Sequence, residues 1–233
     1  MAIRRLTQYS LLKGIKCMSH YKQVSQGISE HKIFAIIRGV SPMDIVPTVE
    51  ALLAGGIKLL EVTFNRAGPM SDTLHCLEVI RETFGDKVVC GVGTATDEQQ
   101  IYAAARAGAQ FVVSPDVNVE IIKLSRQLGM VSIPGAFTPT EVVKARGAGA
   151  DYVKLFPGGL LGLPYFKAVS EVLKDVPIIV VGGVNENNAH QFIDSGAVGV
   201  GVGGYLVNTK EVASGEFAAI SQRAQQLVNS IHP

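Results

Sequence analysis

Charge is scarce in this chain. Only 18% of its 233 residues are Asp, Glu, Lys or Arg, and the formal net charge is +1. No basic face is implied, which argues against a nucleic-acid partner. Long apolar runs are missing as well. None reaches the roughly 18 residues of a transmembrane helix, although 47% of the chain is hydrophobic. Cysteine is rare: Cys17, Cys76 and Cys90 are odd in number and widely spaced, so they define neither a disulfide framework nor a metal site. A reducing, cytoplasmic setting is expected. Acidic residues are absent from the start, where Arg4, Arg5, Lys13, Lys16 and Lys22 all precede the first carboxylate, Glu30. An upstream extension over residues 1–18 is expected, with Met18 an equally good start; a transit peptide has the same composition.

What is present is an alternation. Short β-branched runs at Lys32–Arg38, Lys58–Phe64, Val88–Gly91, Gln110–Ser114, Val131–Pro134, Asp151–Phe156, Pro177–Val181 and Val198–Val202 read as eight strands, each followed by an amphipathic segment. Helix ends are marked by Gly55-Gly56, Gly108-Ala109, Gly149-Ala150 and Gly196-Ala197. Helix starts are marked by a capping box at Thr138–Glu141, a similar one at Thr96 and Gln99, and Ser41-Pro42. Pro47 falls inside the helix carrying Ile45, Val49 and Leu52, where it should cost a hydrogen bond. Eight such units predict a single (β/α)8 TIM barrel over residues 19–233, with an extra N-terminal helix near Tyr21–Glu30 closing its bottom. An open doubly wound sheet is the competing fold.

Barrel enzymes work at the C-terminal ends of their strands. Polar residues at the ends of apolar strands are therefore the ones to seek. Arg38 ends the first strand, Glu61, Thr63 and Asn65 share a face of the second, Thr94 ends the third, and Lys154 lies in the sixth between Val153 and Leu155. A buried lysine favours its neutral form, the nucleophile of Schiff-base chemistry. Pairing with Glu61 for stability is the competing explanation, and a weak one. Glu61 is placed as the base for a hydroxyl proton, directly or through one water. Arg38 suits a two-pronged grip on a substrate carboxylate. Gly182-Gly183 and Gly203-Gly204 follow the last two strands, where barrels bind phosphate on backbone N–H groups. The histidines show no ligand spacing, and no metal site is expected.

Leu60-Glu61-Val62-Thr63, Gly91-Val92-Gly93-Thr94, Ser114-Pro115, Ile133-Pro134-Gly135, Lys154-Leu155-Phe156-Pro157 and Gly182-Gly183-Val184 occur in this order. Over about residues 31–207 the chain thereby resembles the 2-keto-3-deoxy-6-phosphogluconate/4-hydroxy-2-oxoglutarate aldolase family. The resemblance implies a class I aldolase without metal or other cofactor, a small keto-acid substrate and a homotrimer. It implies Lys154 as the Schiff-base lysine, Glu61 as acid/base, Thr94 on the pyruvyl carboxylate, and Phe156 and Pro115 lining the pocket. Some members carry an arginine four residues after the glutamate, where this chain has Asn65; others use the arginine ending the first strand, as Arg38 does. Many members have Thr-Gly-Gly and Gly-Ser in the two phosphate loops, where this chain has Val181-Gly182-Gly183 and Gly203-Gly204. The valine resembles the branch acting on the 6-phosphogalactonate epimer. A phosphate-binding epimerase or isomerase, or a sugar-acid binder without turnover, are the readings from other classes.

Overall fold

The computed structural model describes residues 21–231. The basic leader, Cys17 and Met18 lie outside the described residues. A helix over residues 21–31, α1, leads into β1 (Ile33–Ile37). Then follow α2 (Ile45–Ala54), β2 (Leu59–Thr63), α3 (Met70–Phe84), β3 (Val89–Gly93), α4 (Glu98–Ala107), β4 (Phe111–Val113) and α5 (Val119–Gln127). The second half runs β5 (Val131–Ile133), β6 (Gly135–Ala136), α6 (Pro139–Gly147), β7 (Val153–Leu155), α7 (Gly158–Val172), β8 (Ile178–Val181), α8 (Ala189–Asp194), β9 (Gly199–Val202), α9 (Thr209–Ala213) and α10 (Phe217–Ile231).

All strands are parallel, in the order β5-β4-β3-β2-β1-β9-β8-β7-β6. The expected fifth strand is one stave interrupted at Pro134, which has no N–H to donate. Its first part, β5, pairs with β4 and its second, β6, pairs with β7. The ring closes there: the Lys154 N–H donates to the Pro134 carbonyl at 2.9 Å. The (β/α)8 barrel is thus the fold, and the open sheet is not.

The strands are buried on both faces, which is why they read as near-continuous apolar runs. One face packs under the helices. The other fills the barrel with Phe34, Ile36, Leu59, Phe111, Val113, Val131, Ile133, Ile179 and Val181. Each such fully buried side chain stabilises the fold by about 1.5–3 kcal/mol. Val24 and Ile28 of α1 join this inner cluster, so α1 plugs the N-terminal end of the barrel as expected. Room inside is tight. A Cβ on Gly91 would collide with the Phe111 ring and carbonyl. On the outside, a Cβ on Gly55 would collide with Ala224, so α10 lies directly against the end of α2.

Helix ends follow local chemistry. Thr138 and Glu141 form the expected capping box, with Pro139 in the first turn. The box before α4 sits one residue later than expected, on Asp97 and Gln100: Asp97 accepts from the Gln100 N–H, and Gln100 accepts from the Asp97 N–H. Aspartate accepts hydrogen bonds better than threonine because it is charged, and that decides the register. Pro47 is not a defect either. It is the third residue of α2, and an N–H there would have no partner inside the helix. Gly108 and Gly149 end α4 and α6 with φ of 86° and 99°, values that a Cβ disfavours.

Candidate active site

Parity and register assemble the site. Glu61 of β2 stands beside Ile36 of β1 and Gly91 of β3. Lys154 of β7 stands beside Gly135 of β6 and Ile179 of β8. Both side chains turn into the barrel, where they line one cavity with Phe34, Val113, Ile133, Ile179, Val181 and Gly201. Of all the Asp, Glu, Lys and Arg among the described residues, only these two are buried as whole residues, at 2% and 7% exposure. No ion pair within 4 Å joins them. The lysine Nζ instead lies 5.2 Å from the centroid of the Phe156 ring. The Glu61 Oε1 has no hydrogen-bond partner in the protein. Burial raises the Glu61 carboxyl above the ordinary glutamate value, and the charges of Lys154 and Arg38 offset part of that rise. A pair held for stability would be in contact and fully bonded; this one is neither.

Above this layer, Arg38 extends from the end of β1 and donates from Nη2 to the Thr94 Oγ1 at 3.1 Å. Arg38 is exposed and Thr94 half-buried, so the pair lies on the rim of the cavity, open to a ligand. Thr94 has φ of 57°, a left-handed conformation unusual for a β-branched residue. Such strain is concentrated at functional sites. Asn65 turns away into its own loop, accepting from the Ala67 N–H at 3.0 Å. Pro115 is exposed, and its carbonyl abuts Gly135, while Val113 is the residue of β4 that lines the cavity.

The glycine loops flank the same mouth. Gly182 and Gly183 both have positive φ, 86° and 82°. A Cβ on Gly182 would come 3.1 Å from the Phe156 ring, so the seventh-unit loop touches the aromatic that covers Lys154. Among the described residues, no hydrogen bond uses the N–H of Gly183 or Gly204. Burial, first, and the neighbouring Glu186 carboxylate push the Tyr205 phenol up to about 12. Valine at 181 and glycine at 204 leave those two positions without a hydroxyl donor.

Two features were not assigned by reading the sequence. Gly93 leaves the space that the Glu61 carboxylate fills. Thr63, two residues beyond Glu61, is 2% exposed and its Oγ1 has no partner. The signal for the first is cross-strand and absent from the local sequence. The second was visible as a threonine on the face of Glu61.

A parallel barrel with a buried lysine and carboxylate near its mouth has the groups that a lyase working through an imine requires. The KDPG and KHG aldolase family model matches residues 24–223, and the chain belongs to that family of metal-independent class I aldolases. It is 35% identical over 175 residues to the 2-dehydro-3-deoxy-6-phosphogalactonate aldolase of Escherichia coli K12, covering 75% of this chain and 83% of that one. A solved native KDPGal structure superposes with a TM-score of 0.79 at 32% identity, covering 87% of this chain and 95% of the other. The KDPG aldolase of Legionella pneumophila, solved with pyruvate captured as a covalent carbinolamine, gives a TM-score of 0.79 at 27% identity and covers 87% and 97%.

Proposed function

We propose that this aldolase cleaves a 2-keto-3-deoxy-6-phospho sugar acid to pyruvate and glyceraldehyde 3-phosphate, with Lys154 as nucleophile and Glu61 as acid/base. The observation that carries the reading is the burial of these two charged residues, with no ion pair between them, around one apolar cavity. Lys154 attacks the C2 ketone, water leaves, and the iminium becomes the electron sink. Glu61 takes the C4 hydroxyl proton, the C3–C4 bond breaks, and protonation and hydrolysis of the enamine release pyruvate. Arg38 and Thr94 hold the pyruvyl carboxylate, and Phe156 and Pro115 border the pocket. The loops at Gly182-Gly183 and Gly203-Gly204 take the phosphate on backbone N–H groups.

Between the gluconate and galactonate configurations at C4, the second is favoured by a specific feature. Val181 replaces the threonine of many relatives, and the E. coli relative described above is named for the galactonate acid. 4-Hydroxy-2-oxoglutarate, which would yield glyoxylate, is the unphosphorylated alternative. The homotrimer rests on the family resemblance, and the chain has apolar surface to offer it near the mouth, where Leu160 is 76% exposed and Phe137 and Tyr165 stack at 5.9 Å. The enzyme is read as cytoplasmic; no helix among the described residues is long and apolar enough to cross a membrane.

The test is twofold. Pyruvate with borohydride should leave a reduced three-carbon adduct on Lys154, found by mass spectrometry, and turnover should survive EDTA. A panel of both 6-phosphorylated epimers and 4-hydroxy-2-oxoglutarate should rank the phosphogalactonate acid first by kcat/KM. An adduct confined to another lysine rejects the nucleophile, and preference for the unphosphorylated acid rejects the phosphate loops.

A further inference from the structure

Along the inner face of β2 the side chains are Leu59, Glu61 and Thr63, increasingly polar toward the mouth. The Thr63 hydroxyl is buried and unpartnered, and so is the Glu61 Oε1. Two orphaned polar atoms on adjacent inward positions of one strand point to a shared partner, because buried polar groups are almost always bonded. Register shows how close they are. Thr63 pairs with Gly93 on β3, and a Cβ on Gly93 would overlap the Glu61 Oε1. The carboxylate therefore rises one layer, into the place of the missing side chain beside Thr63. No direct hydrogen bond joins the two oxygens, and one water between them would satisfy both. Extending the β1–β2 register by one residue puts Arg38 on the other side of Thr63.

We infer that Thr63 is a positioning residue: its hydroxyl and the Glu61 Oε1 together hold one water molecule that carries the proton between the carboxylate and the C4 hydroxyl of the substrate. The inference rests on the aldolase reading above. In the cleavage direction the C4 hydroxyl gives its proton to the water as the water gives one of its own to Oε1. The freed O–H electron pair forms the aldehyde carbonyl, the C3–C4 pair moves into the iminium to leave an enamine, and the water is regenerated. A threonine serving packing alone would be better replaced by valine, its isostere without an unmatched hydroxyl.

Thr63→Val and Thr63→Ser test this against wild type. Each is measured for thermal stability, for borohydride trapping of pyruvate on Lys154, and for kcat and KM in cleavage. Thr63→Val is expected to melt at or above the wild-type temperature and to trap pyruvate normally. Its kcat should fall about ten- to a hundredfold with KM within about threefold, and Thr63→Ser should recover most of the loss. Wild-type kcat in Thr63→Val, or a serine variant no better than the valine variant, overturns the inference. So does a valine variant that loses stability and trapping together. Absence of trapping in the wild type removes the imine reading instead, and is told apart because it appears before any substitution.

Discussion

Gly93 and Glu61 compete for one volume: a Cβ on the first would fall on Oε1 of the second. Gly93→Ala should therefore move the carboxylate rather than the lysine. Turnover is expected to fall about a hundredfold, the scale of a lost general base. Overpacking should cost about 1–3 kcal/mol of stability. Imine trapping at Lys154 should persist, and trapping alongside a turnover assay checks both halves. Undiminished turnover would mean that Glu61 works from another position.

Burial sets the sign of the pH effect at Glu61. Its folded-state value is raised, so above the ordinary value of 4.5 the unfolded chain ionises first and stability falls as pH rises toward the folded value. Glu61→Gln removes that slope. Urea unfolding of wild type and variant from pH 4 to 8 should show the glutamine form gaining relative stability as pH increases. Turnover of the variant should drop about a hundredfold or more, and the acid limb of wild-type kcat/KM should lie above the ordinary glutamate range. Parallel stability curves would remove the burial argument.

Much of the barrel was legible in the sequence because parallel strands covered on both faces spell themselves as apolar runs. Lys154 and Glu61 stood out because a charge inside such a run has no structural reason to be there. Pro47 was misread because a proline is harmless in a first turn, and only the position of the Asp44 cap shows that α2 starts at Ile45. The Asp97 box and the break at Pro134 were missed by one residue and one partner exchange, both settled by hydrogen bonds across space. The space Gly93 leaves for Glu61 depends on cross-strand register, which no local pattern encodes.

Thr94 holds Arg38 from a left-handed backbone. Thr94→Gly should relieve that conformation and stabilise the fold by about 1 kcal/mol, while weakening pyruvate binding in the synthetic direction. Arg38→Ala should raise the KM for pyruvate with a smaller effect on kcat. Calorimetric melting and synthetic-direction kinetics decide it. An unchanged KM in Arg38→Ala would transfer the carboxylate to Arg66, the arginine directly after Asn65 in the loop that follows β2.

A side chain can be added to the eighth-unit loop without crowding, since nothing lies within 4 Å of a Cβ on Gly204 and its φ is not left-handed. Gly204→Ser should supply a missing donor and raise kcat/KM for the phosphorylated acid about ten- to a hundredfold, with no gain for 4-hydroxy-2-oxoglutarate. Gly183→Ala should do the reverse, because its φ is 82° and its Cβ would press on the backbone of Leu160. Equal effects on both substrates would show that these loops do not read phosphate.

The plug formed by Val24 and Ile28 leaves this barrel a single doorway. Both fragments of a cleaved substrate must pass through it, and on the proposed mechanism one of them is still bonded to Lys154. Departure is then sequential, with the aldehyde first and pyruvate second. Product inhibition should record that order. Pyruvate should compete with substrate for the free enzyme, and the aldehyde should inhibit noncompetitively by re-entering to meet the enamine.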